Sequence, residues 1–339
     1  MKYLKEYGLL LLIMIGLIVL LVVYYVRGDD NTKKIDVAVL PTMISELQDN
    51  SAWCPTFQLI WNDLKDEVIK KDIEFISDKG NQMVLDLNKE TFTDNMLSPE
   101  YYYKKYGFAT TTLKKEIEKA IKEKFNEDSD ILDSFNFTEN SEDYFFYSML
   151  VRSFTFNKPF DKLSDENFGI DHDSSQELYE NVEVLFYQDS EHYAVKLLTT
   201  SNDEVILYKG ERGNTFNETY QKIVKDDKVR SFDSHDTLTV ANLDFRTESE
   251  YESLTKKEFF DIDGQGYMID KIIQTIIFKL DNTGGKVKSE AGMMMKATAV
   301  LDEEARYFNF SDDFVLFLKE QDKNVPYLAV NINDVKNFR

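Results

Sequence analysis

Residues 272–285 read IIQTIIFKLDNTGG, Ile272 through Gly285. Ile272–Leu280 is a nearly continuous apolar run of strand length, the pattern expected of a strand covered on both faces. Downstream, Phe314–Leu318 and Tyr327–Ile332 read as two more strands, with Gln321–Asn324 as the hairpin turn between them. Upstream, a period of two marks Phe154–Phe156, Val182–Tyr187, His192–Leu198, Val205–Lys209 and Leu238–Arg246 as strands. Asp189-Ser190 and Ser201–Asp203 supply turns.

Before about residue 145 the period changes. Phe57, Ile60, Trp61, Leu64 and Val68 stand three and four apart, which puts one apolar stripe on a helix over 57–70. Leu113, Ile117, Ile121 and Phe125 repeat the pattern over 111–126, with Thr111 or Thr112 placed to cap it. Met83–Leu87 reads as a short strand. A helical first part followed by a strand-rich second part is an α+β arrangement. No internal repeat interrupts it.

A different segment precedes this domain. Gly8–Val26 (GLLLLIMIGLIVLLVVYYV) carries no charge and is long enough to cross a bilayer as a helix. Lys2 and Lys5 lie before it, on the side that tends to stay cytoplasmic. The rival reading is a cleaved signal peptide, whose apolar run is about 7–15 residues. The run here is longer, and only Val26-Arg27-Gly28 faintly resembles a cleavage site. The expected organisation is a cytoplasmic stub and transmembrane anchor over 1–27, a linker over 28–50, and an extracytoplasmic domain over 51–339. The partner implied is the lipid bilayer through 8–26, at the cell membrane, in single-pass topology.

The formal net charge is −22. Such a surface is soluble and repels nucleic acid, so no nucleic-acid partner is expected. With 25 Phe and 19 Tyr, a sizeable core can form. Cys54 is the single cysteine, so no intramolecular disulfide is available and the fold must hold by packing.

From about Tyr147 onward the chain resembles the serpin superfamily. Leu150–Asp161 (LVRSFTFNKPFD) is similar to the serpin strand that ends in an aromatic–Lys–Pro–Phe turn. Val240–Leu254 (VANLDFRTESEYESL) resembles a Leu-Pro-x-Phe strand leading to Tyr-x-x-Leu. Ile272–Gly285 looks like the long central strand that ends at the hinge of the reactive loop. Phe310–Phe314 (FSDDF) and the final strands resemble the closing phenylalanine motif and hairpin. The chain departs from the family as well. It lacks the Asn-x-x-x-Ser-Pro helix start, Arg152 stands where serpins usually carry a shutter asparagine, and Gln274 replaces the usual breach histidine. The breach tryptophan falls in a short deletion near Asn157.

The resemblance implies a fold in which a multi-sheet domain exposes a loop that a protease cuts and that then inserts as a strand. Hinge positions would be Gly284, Gly285, Val287, Ser289 and Ala291, with small or apolar side chains at alternate inward places. Lys286, Lys288, Glu290 and Gly292 suit the solvent face. The bland reading of the same alternation is an exposed loop that never inserts. Reactive-loop positions would be Met293, Met294, Met295, Lys296, Thr298 and Ala299, with the scissile bond near Thr298-Ala299 and Val300 to Asp302 within range. The three methionines are either an adaptable contact surface or core filler. Because Arg152 and Gln274 replace residues that organise sheet opening, cutting between Met293 and Glu304 is expected without a large gain in stability.

No catalytic constellation is complete. Cys54 and His192 lie 138 residues apart, a papain-like spacing, but the local motif is Ala-Trp-Cys-Pro-Thr-Phe and no Asn-Trp partner follows. Ser234-His235-Asp236 are sequence neighbours, whereas triads come from separated positions. Asp261–Ile272 resembles part of a calcium loop, but its twelfth position is Ile272 instead of the bidentate Glu. His172, His192 and His235 have no metal-ligand spacing. No cofactor and no metal are implied.

Three functions follow. The first is a non-catalytic, serpin-like surface protein that meets a protease or another surface protein, either as an inhibitor or as a non-inhibitory binder. The second is an interaction module of unrelated α+β fold. The third is a cysteine hydrolase built on Cys54 and His192.

Overall fold

The computed structural model describes residues 37–224, 229–286 and 305–339. Its compact units divide at Lys34, and everything below concerns the second unit. The expected anchor over 8–26 lies outside the described residues. Among the described residues, no helix is long and apolar enough to cross a membrane.

The chain enters through β1 (Ala38–Val39) and β2 (Ser51–Trp53), which pair in parallel. The folded unit therefore begins before Ser51, within the stretch expected as linker over 28–50. Val37, Val39, Leu40 and Met43 are buried, and their apolar side chains are what draw the segment in. Helix α1 (Thr56–Asp63) continues as a π-wound turn over Leu64–Ile69 and ends at Lys70 in left-handed conformation. Met83–Leu87 is helical, not a strand: α2 spans Gln82–Asn88, with the Asn81 side chain accepting from the Val84 amide. That cap and the buried Val84 and Leu87, three apart, decide for helix. Strand β3 (Tyr102–Phe108) leads to α3 (Thr111–Phe125), whose cap is Thr110 and whose buried face is Leu113, Ile117 and Ile121.

The strand-rich part follows. It comprises β4 (Tyr144–Leu150), β5 (Phe154–Thr155), β6 (Asp161–Lys162), β7 (Asn167–Ile170), β8 (Val182–Asp189), β9 (His192–Leu198) and β10 (Asp203–Lys209). Helix α4 (Phe216–Ile223) precedes β11 (Arg230–Ser231), β12 (Thr237–Ala241), β13 (Leu243–Ser249), β14 (Glu258–Phe260) and β15 (Gly266–Met268). The last strands are β16 (Gln274–Asp281), β17 (Gly284–Lys286), β18 (Tyr307–Phe310), β19 (Phe314–Glu320) and β20 (Pro326–Ile332).

An eight-stranded sheet runs β1-β2-β20-β19-β10-β9-β8-β11. A four-stranded sheet runs β18-β12-β7-β6, and another runs β13-β16-β17-β5. β3 pairs with β4, and β14 with β15. The single strand expected over Leu238–Arg246 is two strands in two sheets. Asn242 breaks it by turning its amide to Glu166 O at 2.8 Å and its side chain to Asp165 O at 3.1 Å. One large core joins the sheets, and a smaller cluster lies between α3 and the outer face of β4 around Ile117, Phe145 and Tyr147.

Candidate functional site at the hinge and the central sheet

β16 is covered on one face only. Gln274, Ile276, Phe278 and Leu280 point inward and are buried, while Ile277 between them is 52% exposed. The apolar run thus exceeds what its outer face requires. The strand ends at Asp281, whose carboxylate accepts from the Thr283 amide at 2.8 Å and the Thr283 hydroxyl at 2.6 Å. The chain then reverses. The expectation of one long strand over Ile272–Gly285 is corrected here: β16 ends at Asp281, and Gly284–Lys286 folds back as β17, with Leu280 opposite Gly285 and Asp281 opposite Gly284.

β17 is flanked on its other side by β5, with Gly284 opposite Thr155 and Gly285 opposite Phe154. The turn is held by the segment that carries the Lys-Pro-Phe motif. Phe156 N donates to Thr283 O at 3.0 Å, Phe160 N to Asn282 O at 2.8 Å, and the Asn282 amide side chain to Phe160 O at 3.0 Å. Glycine is needed at both hinge positions. Gly284 has φ +148°, and a Cβ there would lie 2.3 Å from Phe154 O. A Cβ on Gly285 would lie 2.4 Å from Cζ of the Phe154 ring.

Below β17 the sheet is open. Among the described residues, β16 from Gln274 to Phe278 is paired to β13 alone, and β4 to β3 alone. Between these two free edges lies a cavity of about 1250 Å³, floored by Phe57, Ile60, Trp61 and Leu64 of the first helix. A polar clamp joins its two sides. The Gln274 amide donates to Cys54 O and to Thr56 Oγ1, both at 3.0 Å, and accepts from the Tyr251 hydroxyl at 2.6 Å. From the opposite strand, the Ser148 hydroxyl donates to Thr56 O at 2.6 Å. Gln274, expected at the breach, therefore sits at the far end of β16 from the hinge.

Arg152, at the position where the resemblance puts a shutter asparagine, is a fully buried cation. Its Nε lies 2.5 Å from Asp203 and its Nη1 2.7 Å from Glu320, ion pairs that are off in-line hydrogen-bond geometry. The Tyr101 and Tyr327 rings sandwich the guanidinium at 3.8 and 4.9 Å. The Tyr327 hydroxyl donates to Asp203 at 2.7 Å, and Ser98 donates its amide to Glu320 at 2.9 Å and its hydroxyl to the same carboxylate. A cation in the inward series Leu150, Arg152, Phe154, Phe156 is the sequence signal that marks this cluster. Ser148 and Thr56, 92 residues apart, carry no such signal.

Val287, Ser289, Ala291 and the positions Met293, Met294, Met295, Lys296, Thr298 and Ala299 lie outside the described residues. The chain is next described at Ala305, and Arg306 is anchored to Asp236, Nε to Oδ1 at 3.0 Å and Nη2 to Oδ2 at 2.7 Å.

The other constellations come apart. Burial pushes the Cys54 thiol up to about 12, against the lowering effect of Thr56. His192 is at the exposed β8–β9 turn beside Asp189. Three strands separate β2 from β9, a span of about 19 Å at ordinary strand spacing. Ser234 and His235 are exposed, while Asp236 is buried on Arg306. The Asp261 carboxylate accepts from the amides of Asp263 and Gln265, closing the β14–β15 turn on itself. Among the described residues no cluster of His, Cys, Asp and Glu could hold a metal ion.

No protein-family model matches this chain, and no curated protein matches it in sequence. Among solved structures it is similar to Serpin48, a highly specific serpin of the insect Tenebrio molitor, at 9% identity and TM-score 0.48, over 85% of this chain and 92% of that one. It is similar to the thermophilic serpin Tengpin in its native state, at 11% identity and TM-score 0.49, over 85% and 89%. It is also similar to a serpin of the trematode Schistosoma haematobium, at 12% identity and TM-score 0.39, over 66% and 63%.

Proposed function

We propose that this chain is a serpin-like, non-catalytic protein that presents the segment after Gly285 to a protease and accepts that segment as a strand between β4 and β16. One observation carries the reading: β17 is already seated between β16 and β5, directly above a gap flanked by two strand edges that are unpaired among the described residues. Continuing the same register would set Val287, Ser289 and Ala291 opposite Phe278, Ile276 and Gln274, on the inward face. Their small or apolar side chains suit that burial. The lack of the usual residues at Arg152 and Gln274 argued against a stability gain; the room in the sheet supports one.

A second reading is favoured by the clamp. Gln274, Tyr251, Thr56 and Ser148 are joined by hydrogen bonds across the gap where β16 begins, and separating them costs about 1 kcal/mol per hydrogen bond. A strand that stops above the clamp would make this a binding protein without inhibition. The proposal places the domain outside the cell membrane, tethered through 8–26, on the strength of that charge-free run and of Lys2 and Lys5. Protease added to intact cells should shave the domain off; protection would count against the tether.

Nicking the full-length chain between Met293 and Glu304 and comparing thermal unfolding before and after tests insertion. Full insertion should raise Tm by about 10 °C or more, the scale of several kcal/mol in a chain of this size. An unchanged Tm would leave the binding reading.

A further inference from the structure

The chain from Tyr144 to Thr155 changes partner midway. As β4 it pairs with β3, and as β5 it pairs with β17. The change falls at Val151–Ser153, which belongs to neither ladder. Arg152 is the inward side chain of that stretch, two residues before Phe154, which stands opposite Gly285. Its neighbour Ser153 has a buried hydroxyl with no hydrogen-bond partner among the described residues. The Val151 amide still donates to Tyr101 O at 3.0 Å, and beyond it the Arg152 side chain ties the stretch to the rest of the fold. Its two carboxylates stand at the start of β10 and the end of β19, and its two flanking rings come from Tyr101 and from β20.

We infer that Arg152 is a positioning residue for the hinge: it ties the partner-changing stretch to the ends of β10, β19 and β20, and so holds β5 where β17 can dock. The inference rests on reading Gly284–Lys286 as the docking hinge. It does not require that the rest of the segment insert. A hydrogen-bonded ladder protects its amides only while both neighbours stay in place. Loss of the tether should therefore loosen β17 on its β5 side before it loosens the paired core.

Amide hydrogen exchange on the full-length chain tests this. Arg152→Gln strands two buried carboxylates and can fail to fold, so the deciding variant is the neutral triple substitution Arg152→Leu, Asp203→Asn, Glu320→Gln, which leaves no buried charge unpaired. Exchange at Gly284–Lys286 should quicken by about tenfold or more, while the β13–β16 and β12–β18 ladders keep their protection. Arg152→Lys, which keeps the charge, should restore most of the hinge protection. Unchanged hinge exchange in the triple variant overturns the inference. So does equal loosening of every ladder, which would mean a general structural role. A hinge already unprotected in the parent chain overturns the docking reading itself, and is told apart from the other outcomes before any variant is made.

Discussion

Two hairpins in this molecule open on similarly apolar strands, β19 and β16, and have opposite surroundings. β19 and β20 are paired on both sides within the eight-stranded sheet, and every residue of each is buried. Among the described residues, β16 and β17 belong to a sheet that closes around them only at the top, at Lys279–Asp281, and stands open below. β16 is rich in Ile, Leu and Phe and β19 in Val, Leu and Phe, whereas β17 is Gly-Gly-Lys. The difference is whether the second edge has a partner, and it separates a strand that holds the fold from one that can still gain a neighbour. Each unpaired edge keeps its backbone donors and acceptors available, which is a liability in most proteins and here is the feature to test.

The largest effect should fall in the closed sheet. Phe317, fully buried and in ring contact with Phe216 and Tyr220, should cost about 3–5 kcal/mol when changed to Ala. Ile276 is also buried but lines the gap. Its neighbours already face a cavity, so Ile276→Ala should cost nearer the lower bound of roughly 2 kcal/mol. Denaturant unfolding of both variants measures the contrast. Equal losses would mean that the gap is as firmly packed as the closed sheet, and the comparison would fail.

Next come changes at the open sheet itself. Gly285→Val drives a side chain into the Phe154 ring, an overpacking cost of about 1–3 kcal/mol if β17 stays seated. Faster exchange at Gly284–Lys286 with little loss of global stability would show that the hinge leaves instead. A variant identical to the parent in both respects would show that β17 is not docked. Gln274→Met removes the clamp's centre and orphans the Tyr251 hydroxyl, a loss of roughly 1–2 kcal/mol that should also make the nicked segment insert more readily. If nicking raises the Tm of Gln274→Met by no more than it raises that of the parent, the clamp does not limit the strand.

How much of this was legible without coordinates depends on the kind of interaction. Helix α3 followed from Leu113, Ile117 and Ile121, because an amphipathic stripe is a local pattern. His192–Leu198 followed from its period of two. The π-wound end of the first helix and the reversal at Asn282–Thr283 did not, since both depend on what lies across from them. The reversal in particular is fixed by Phe156 and Phe160, more than 120 residues earlier in the chain. Met83–Leu87 reads as a strand from sequence because four apolar residues in five positions, Met83, Val84, Leu85 and Leu87, fit either period, and the deciding cap at Asn81 lies outside the run. Gly284 and Gly285 were marked as hinge residues from resemblance. What coordinates add is the reason for glycine there, namely the backbone and ring of Phe154.

The smallest effect, and the most direct view of the gap, comes from Cys54. It is the only cysteine in the chain, it lines the cavity, and its carbonyl takes a hydrogen bond from Gln274. Burial raises its pKa from 9.0 to about 12, so the folded state holds the thiol proton more tightly than the unfolded state does. That contribution to stability is complete below pH 9.0 and is lost as pH rises towards about 12. Cys54→Ala should flatten part of the alkaline loss of stability in that window, leaving the share due to Tyr147, Tyr193 and Tyr220, each raised to about 12 mainly by burial. Near neutral pH the thiolate is scarce, so alkylation by iodoacetamide should proceed only when the gap opens. Gln274→Met should quicken labelling, because the amide that bridges Cys54 and Thr56 is gone, whereas Phe317→Ala should quicken it only as far as global stability falls. Parent labelling as fast as that of a free thiol would mean that the two edges are not held together at all. The clamp, the gap and the difference between the two hairpins would then have to be abandoned together.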